Sequence, residues 1–199
     1  IQKFFKTAGP EAETPKDLSD HKICNFILVP SNAACMGAYE AAGELGIRNR
    51  MILSTVLEGE GREVGGTFAD IAREILVSGN PMTCPCVIIG GGESTVSITD
   101  ECGEGGPNQE FALGAALRLD GMDNVVIASV DTDGTDGPTK LAGAIVDKST
   151  LERARADGID LFADLVKHDV SGSLEQLGEI VLTGATGTNV NDLKLLVVM

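Results

Sequence analysis

The sequence has few basic residues and no long apolar run. Its 15 Lys and Arg stand against 30 Asp and Glu, which gives a net charge of −15. Phosphate backbones and anionic lipid headgroups repel such a surface, so nucleic acid and membranes are disfavoured as partners. No apolar stretch approaches the roughly 20 residues that a membrane-spanning helix needs. No secretory signal is recognisable, so we expect a cytoplasmic protein.

The chain also lacks the residues of disulfide scaffolds and histidine-based sites. Five cysteines are an odd number, and without a secretory signal reduced thiols are expected. Cys84 and Cys86 are one residue apart, a spacing that matches no zinc motif, so two packed thiols are favoured over a metal site. His21 lies in a linker-like segment, and His168, between two charged neighbours, is expected at the surface. The sequence contains no recognisable Ser–His–Asp arrangement, which disfavours hydrolase chemistry.

Two common nucleotide-binding signatures are absent. The Gly- and Thr-rich segment Thr183–Asn189 is not followed by the Gly-Lys-Ser/Thr of a Walker loop. The glycines Gly90, Gly91 and Gly92 do not have the G-x-G-x-x-G spacing of a dinucleotide fingerprint. Taken alone, each of these glycine segments is therefore no more than a turn.

The most informative stretch is the one around Gly90. Four apolar residues, Cys86–Ile89, run into three glycines, and Glu93, Ser94 and Thr95 follow at once. A short apolar run bounded by glycines predicts a buried strand that ends in a loop. Glycines allow backbone N–H groups to approach a ligand, and ligands gather at the carboxyl ends of strands in open α/β sheets.

Strands and helices alternate along most of the chain. This order predicts a layered α/β/α domain with a mostly parallel sheet, a mixed sheet being left open. We interpret residues 1–22 as an interdomain arm and residues 23–199 as one α/β domain. Predicted helices cover 32–45, 64–79, 107–119 and 149–158; predicted strands cover 24–29, 51–53, 86–89, 96–99 (as a hairpin partner), 125–130, 142–146, 180–182 and 195–198. The second helix follows a loop at 58–63 and has one apolar stripe, formed by Val64, Phe68, Ile71 and Ile75. Pro107 begins the third helix, whose alanine-rich face indicates tight packing on a sheet, and Ser149 has capping-box spacing at the start of the fourth.

Three predicted strands end in loops of one type, rich in glycine and carrying hydroxyls or carboxylates. They are Gly90–Thr95, Asp131–Thr139 and Thr183–Asn189. If these strands run in the same direction, all three loops lie along one edge of the sheet and converge on one ligand. The sequence therefore predicts a binding site at that edge.

The second of these loops carries three carboxylates. Asp131, Asp133 and Asp136 offer the hard oxygen ligands that Mg²⁺ and Ca²⁺ prefer. An EF-hand is excluded by register, because Asp136 stands where that loop needs glycine and Ala142 where it needs glutamate. An acidic turn is the remaining alternative. We favour a Mg²⁺–nucleotide role because an isolated turn does not explain the other two loops.

The remaining candidates are groups that can hold oxyanions. Backbone amides and hydroxyls of Thr183–Asn189 could cradle phosphate or carboxylate oxygens. Asn108 and Gln109 open a helix, whose N-terminus favours anions, although capping is an equal alternative. The candidate substrate- and nucleotide-binding residues are Gly90, Gly91, Gly92, Ser94, Thr95, Asn108, Gln109, Thr183, Gly184, Thr186, Gly187, Thr188 and Asn189.

Several of these segments resemble one known family. The motifs Gly91–Val96, Gly105–Glu110, Thr132–Thr139 and Thr183–Asp192 look like those of the MOFRL-type (class II) glycerate kinases and occur in the same order. The segment Glu58–Glu63 is similar as well, and the resemblance covers the chain from about residue 24 onward.

The resemblance implies ATP- and Mg²⁺-dependent phosphorylation of D-glycerate, with 2-phosphoglycerate as the favoured product. Members of the family have two domains with the site in the cleft between them, and their N-terminal Rossmann-like domain carries a lysine. This chain, which begins at Ile1 rather than Met, then corresponds to the C-terminal half and supplies one wall of the cleft. We expect the missing domain to be its partner and the isolated chain to be inactive. Association of two copies is left open.

The resemblance also assigns roles. Asp133 and Asp136, which match the family's motif, fall on the Mg²⁺–phosphate side, and Glu93 is a further polar group of the catalytic set. We take Asp131 and Asp133 as the candidate metal ligands; the family does not assign Asp131, which is either an added ligand or a turn residue. Two departures matter: Pro107 replaces an arginine of most relatives, and Asp131 replaces a glycine. Two alternatives therefore remain, a non-catalytic binding module and a kinase for another small hydroxy acid.

Overall fold

The computed structural model describes residues 2–99 and 101–199, in which one sheet of six strands is flanked by helices. The strands are β1 (Asn49–Glu60), β2 (Cys86–Thr95), β3 (Val125–Asp131), β4 (Gly143–Asp147), β5 (Ile180–Val181) and β6 (Asp192–Val198), in the spatial order β1-β2-β6-β3-β4-β5. The α-helices are α1 (Gln2–Thr7), α2 (Ser31–Glu44), α3 (Gly61–Ser78), α4 (Pro107–Ala116), α5 (Lys148–Ala156), α6 (Leu161–Val166) and α7 (Ser171–Leu177), with a 3-10 turn at Pro10–Ala12.

The sheet is mixed. Strands β1 and β2 pair in parallel, whereas the other neighbouring pairs are antiparallel. Strand β6 lies antiparallel between β2 and β3, and β4 lies antiparallel between β3 and β5. It follows that β2, β3 and β5 all point the same way, although none of them neighbours another. The α/β class is confirmed, with the sheet taking the mixed form.

One face of the sheet is covered by α3 and α4. The predicted apolar stripe of α3 is confirmed, since Phe68 and Ile75 are buried in the core. The Phe68 ring meets the Phe111 ring of α4 edge-on, with centroids 5.1 Å apart. The two helices approach closely through glycines: a Cβ on Gly65 would lie 1.9 Å from the Phe111 carbonyl oxygen.

The opposite face carries α2, which completes the three layers. Cys35 and Ala42 of α2 pack with Val87 and Ile89 of β2 in a second, smaller apolar cluster. The helix begins and ends within one residue of its predicted bounds.

Two predicted strands are wrong. Residues 24–29 form no strand; Phe26, Ile27 and Leu28 are 81%, 84% and 91% exposed. A strand needs a neighbouring edge for its backbone groups, and in this chain the segment contacts none. Residues 96–99 are irregular as well, because β1 and β6 already occupy both edges of β2 and leave no place for a hairpin partner. There the backbone N–H of Ser97 donates to Glu60 Oε2 at 3.2 Å.

Other bounds differ in detail. Strand β1 extends well beyond the predicted 51–53, and the expected loop at 58–63 is the end of β1 and the first turn of α3. Helix α5 is capped by Asp147 rather than Ser149, since the Asp147 carboxylate accepts the Ser149 N–H at 2.7 Å. Helices α6 and α7 were not predicted. Within the described residues, no helix has both the length and the apolar character needed to cross a bilayer.

Candidate functional site

The three glycine-rich segments meet at one edge of the sheet, but Gly90–Thr95 was wrongly predicted as a loop: it is the second half of β2, paired with β1 and β6. Asp192, the first residue of β6, is paired with Gly92 on β2 and with Asp131 on β3. The loop Thr183–Asn189 leads from β5 back to this point. The convergence expected from the sequence therefore occurs, although a mixed sheet produces it.

Hydrogen bonds tie the third loop to the second. Thr186 Oγ1 donates to the carbonyl oxygen of Thr132 at 2.6 Å, and the Thr186 N–H donates to that of Asp133 at 3.2 Å. Asn189 Nδ2 donates to Asp133 Oδ2 at 3.2 Å. Thr183, Gly184, Thr186, Gly187 and Thr188 are exposed. This loop thus remains the part of the site with backbone and hydroxyl groups facing solvent.

A buried carboxylate, Asp192, connects the segments beneath the surface. Its Oδ2 accepts the Ser94 N–H at 3.0 Å, the Ser94 hydroxyl at 3.2 Å and Lys194 Nζ at 2.7 Å. Its Oδ1 accepts Asn108 Nδ2 at 2.8 Å. One side chain thereby joins β2, β6 and the start of α4. Ser94 and Asn108 were predicted as ligand contacts, but in the structure these groups donate their hydrogen bonds to Asp192.

Asp136 holds the N-terminus of α4. Its Oδ1 accepts the N–H and Nδ2 of Asn108, both at 3.1 Å, and its Oδ2 accepts the N–H and Nε2 of Gln109 at 2.9 and 3.0 Å. Burial raises the pKa of this carboxyl, while the four hydrogen bonds oppose the rise. Both oxygens are occupied by protein donors, so these contacts support a positioning role rather than direct contact with Mg²⁺. The Gln109 side chain is likewise saturated, by Asp136, Thr139 and Ser171.

Three carboxylates remain at or near the surface: Glu93, Asp131 and Asp133. Burial raises the pKa of Asp131 to about 6, and the charges of Asp133, Asp192 and Glu93 add to that rise. The pKa of Glu93 is also raised, first by burial and then by Asp192. Hydrogen bonds from Thr135 instead lower the pKa of Asp133. Negative charges are therefore crowded together here, a condition that a bound cation relieves.

No metal cage is preformed. Among residues 2–99 and 101–199, no three His, Cys, Asp or Glu side chains are arranged to hold a metal ion. Mg²⁺, however, is commonly bound by one or two carboxylates, with water and substrate phosphates as the other ligands. Asp133 also accepts protein hydrogen bonds on both oxygens, from Thr135 and Asn189, but Asp131 and Asp133 are only half-buried, unlike Asp136, so their remaining lone pairs can face such an ion.

The glycines of β2 are explained by protein packing. A Cβ on Gly90 would lie 2.5 Å from Leu57 Cδ1, and one on Gly91 would lie 2.6 Å from Cys35 Sγ. Gly92 has a φ of +130°, and its Cβ would lie 2.2 Å from the Leu57 carbonyl oxygen. All three are buried, so the space that they leave is filled by the protein. The hydroxyl of Thr95, next to this run, donates to the carbonyl oxygen of Gly59.

His168 is not the surface histidine that the sequence predicts. Its side chain is 14% exposed, and its Nδ1 lies 2.7 Å from Oε1 of Glu110, which is buried in α4. Burial raises the pKa of Glu110, and the bond to His168 opposes this rise. The loop 167–171 also bonds to the backbone of 103–104, so α6 and α7 brace the turn that precedes α4.

Sequence reasoning missed Asp192 and Lys194 as site residues. Their signal is the two-residue alternation of β6, which puts Asp192, Lys194, Leu196 and Val198 on the buried side. A carboxylate and a lysine on the core face of a strand have to be paired, so this alternation indicates a buried ion pair at the start of β6.

Fold and site together define a mixed α/β domain that gathers a carboxylate cluster and a Gly- and Thr-rich loop at one sheet edge. Comparison with known proteins identifies the family of this domain. The MOFRL family profile matches residues 86–192, more than half of the chain. The chain belongs to the MOFRL family.

The relatives are similar along most of this chain. Glycerate 2-kinase from Pyrococcus horikoshii is 40% identical over 176 residues, which span 88% of this chain and 40% of the relative. The solved structure of glycerate kinase from Thermotoga maritima superposes with a TM-score of 0.84 at 40% identity, covering 94% of this chain and 44% of the other. An Agrobacterium vitis relative, provisionally named a hydroxypyruvate reductase, is 39% identical over 99% of this chain and half of its own length. The chain thus spans between two fifths and a half of these relatives.

Proposed function

We propose that this chain forms one wall of the active site of a cytoplasmic glycerate kinase, which transfers the γ-phosphoryl group of ATP to D-glycerate with Mg²⁺. The 2-hydroxyl is the favoured acceptor, as in the names of the Pyrococcus horikoshii and Thermotoga maritima relatives. The observation that carries the proposal is the convergence of the loops 131–139 and 183–189 beside Glu93, in a chain of this family.

The geometry suits phosphoryl transfer. That reaction needs positioning of the phosphate and neutralisation of its charge rather than covalent chemistry by the protein. Asp131 and Asp133 would hold Mg²⁺ together with phosphate oxygens, and the ion would withdraw charge from the transferring group. The exposed amides and hydroxyls of Thr183–Asn189 would contact phosphate or glycerate oxygens. Asp136, Asn108 and Gln109 would fix α4 and the turn before it, through the bonds described above.

The first test is Asp133→Asn in the full-length protein. The amide oxygen of the new side chain can still accept the two bonds from Thr135, so the turn is kept; the charge beside Mg²⁺ is lost, together with the exposed bond from Asn189 to Oδ2. We expect kcat for glycerate to fall by about 100-fold with little change in thermal stability. Asp157→Asn, at an exposed position, is the matched control and should keep normal turnover. Wild-type kcat in D133N would remove Asp133 from the metal side.

A second candidate follows from the name of the Agrobacterium vitis relative. Hydroxypyruvate and glycerate share a carbon skeleton and differ by two electrons and two protons, so one pocket could bind either. The two activities are distinguished by assaying one preparation twice, once with NADH and hydroxypyruvate and once with Mg·ATP and glycerate. Oxidation of NADH indicates reduction, and formation of ADP indicates phosphorylation. Binding of Mg·ATP without turnover of either substrate, measured by calorimetry, would instead indicate a binding module.

A further inference from the structure

Lys194 is a fully buried cation directly beneath the proposed site. Its side chain has no exposed area, and its partner Asp192 is 2% exposed. Nζ lies 2.7 Å from Asp192 Oδ2 and 5.8 Å from the centroid of the Phe111 ring. In the sheet Lys194 is paired with Gly90 on one side and Ser129 on the other. It has no access to a ligand, so any influence on the site has to pass through its neighbours.

Asp192 is the neighbour through which it acts. That carboxylate holds the Ser94 N–H and hydroxyl on β2 and the Asn108 amide at the start of α4. Asn108 in turn bonds to Asp136, in the loop after β3. A charge lost at Lys194 would leave Asp192 buried without its counter-ion. The positions of all these segments depend on the pair.

Lys194 also sets the charge of the site. The groups that act on Glu93 are Asp192 and Asp133, which raise its pKa, and Lys194, which lowers it; Asn191 Nδ2 donates to Glu93 at 2.8 Å. Glu58 of β1 is paired with Glu93 in the sheet, and Asp131, on β3 beyond β6, is acted on by Asp133, Asp192 and Glu93, all of them negative. Among the charges that act on these two surface carboxylates, Lys194 is the positive one.

We propose that Lys194 is a positioning residue of this site: through its ion pair with Asp192 it fixes the end of β2 and the start of α4, and its positive charge acts on the nearby carboxylate Glu93. The catalytic consequence rests on the glycerate kinase function proposed above, whereas the electrostatic part does not. A role in packing alone makes a different prediction: losing one partner of the buried pair would lower stability but leave the titration of Glu93 unchanged.

The test compares Lys194→Met, Asp192→Asn and the double variant in this 199-residue chain. The readout is the titration midpoint of the Glu93 carboxyl, followed by carbon-13 NMR. We expect K194M to raise the midpoint by about half a pH unit or more, D192N to lower it, and the double variant to return it close to the wild-type value. An unshifted midpoint in a folded K194M overturns the proposal. If K194M does not fold, an unshifted midpoint in D192N overturns it equally.

The catalytic part is tested in the full-length protein with Lys194→Met and Lys194→Arg. K194M should lower kcat by about 10-fold or more and move the acidic limb of the kcat/KM profile to higher pH. K194R, which keeps the positive charge, should recover most of the lost kcat. An active wild type whose K194M variant keeps kcat and the pH profile overturns the role of Lys194. If the wild type does not phosphorylate glycerate, the proposed function fails, and the NMR titration still decides the electrostatic part.

Discussion

At the scale of single residues, the candidate site combines carboxylates whose charge is compensated by protein donors with carboxylates that lie mainly beside other negative groups. Asp136 and Asp192 are buried and fully bonded, so their negative charge is compensated by protein donors. Asp131 is only half-buried and lies among other carboxylates, which is why its pKa rises to about 6. A group whose pKa is raised in the folded protein opposes folding once it ionises. The site is therefore less stable empty than it would be with a bound cation.

This asymmetry predicts a pH dependence of stability. The contribution of Asp131 is fully favourable below its unfolded pKa of 3.8 and is lost as the pH rises through about 6. Asp131→Asn should therefore raise the free energy of unfolding at pH 7, by at most about 2 kcal/mol once its partial exposure is taken into account. Near pH 3.5 the two proteins should unfold at similar temperatures.

Thermal unfolding at several pH values, with and without Mg²⁺, measures this effect. The amide oxygen introduced by D131N can still accept the Asp133 N–H, so the turn is not the variable. Added Mg²⁺ should raise the unfolding temperature of the wild type at pH 7 and leave that of D131N almost unchanged. A D131N protein less stable than wild type at pH 7 would contradict the repulsion that we describe. Asp157→Asn again serves as the control.

The sequence predicted which segments meet at the strand ends better than it predicted the hydrogen-bond partners of each side chain. The carboxylates of the loop after β3 were found from composition and spacing alone. The buried bonds of Asn108, Gln109 and Asp136 were not, because they join residues that are 27 and 28 positions apart. The pairing of Glu110 with His168 spans 58 positions and was missed for the same reason. Local patterns contain no information about such partners.

At the scale of elements, the contact between α3 and α4 positions the site. The two helices lie close enough for the Gly65 Cα to face the Phe111 carbonyl and for the Gly114 Cα to face the backbone of Arg62. Because α4 begins with Asn108 and Gln109, which hold Asp136, any shift of α4 against α3 is transmitted to the site. The small residues predicted on α4 are thus needed for close approach, and the helix is buried along its length.

Gly65→Ala tests this contact. The added methyl would fall 1.9 Å from a backbone oxygen, which cannot rotate away, so the helices have to separate. We expect a loss of about 1–3 kcal/mol in the free energy of unfolding. Gly37→Ala, in the exposed interior of α2 with no atom within 4 Å of the new methyl, should instead be neutral or stabilising by up to about 1 kcal/mol. Urea unfolding of both variants measures the difference; equal behaviour would show that the contact is not tight.

Elements were predicted well where the pattern is local and periodic. Three local features correctly predicted an element: the apolar stripe of α3, the proline that opens α4 and the apolar run of β2. The strand predicted at 24–29 failed because apolar character alone does not supply a pairing partner. The hairpin at 96–99 failed because the sequence does not reveal that β6 already occupies that edge of β2.

At the scale of the whole molecule, the chain corresponds to less than half of the Pyrococcus horikoshii and Thermotoga maritima relatives. Its acidic edge is open, and it bears several exposed apolar side chains, among them Phe26 and Leu28. A phosphoryl-transfer site has to exclude water and surround the phosphates with positive charge. This wall offers carboxylates and one buried lysine, so the remaining donors have to come from elsewhere.

We therefore expect the 199-residue chain alone to give no glycerate-dependent ADP formation in a coupled assay. The D-glycerate 2-kinase from Thermotoga maritima, assayed in parallel, is the positive control. Robust turnover by the isolated chain would mean that one wall suffices. Weak binding of Mg·ATP to the chain, measured by calorimetry, is compatible with the prediction, since the metal ligands proposed here all belong to it.

The position of β6 has a consequence for how the protein is made. Strands β2 and β3 are synthesised long before β6, yet neither can complete its ladder until β6 is inserted between them. A nascent chain on the ribosome consequently exposes two unfinished edges at once, each able to pair with a neighbouring polypeptide. Cells that produce this protein quickly should need chaperones to shield those edges. The acidic cluster can assemble only after β6 has been inserted between β2 and β3.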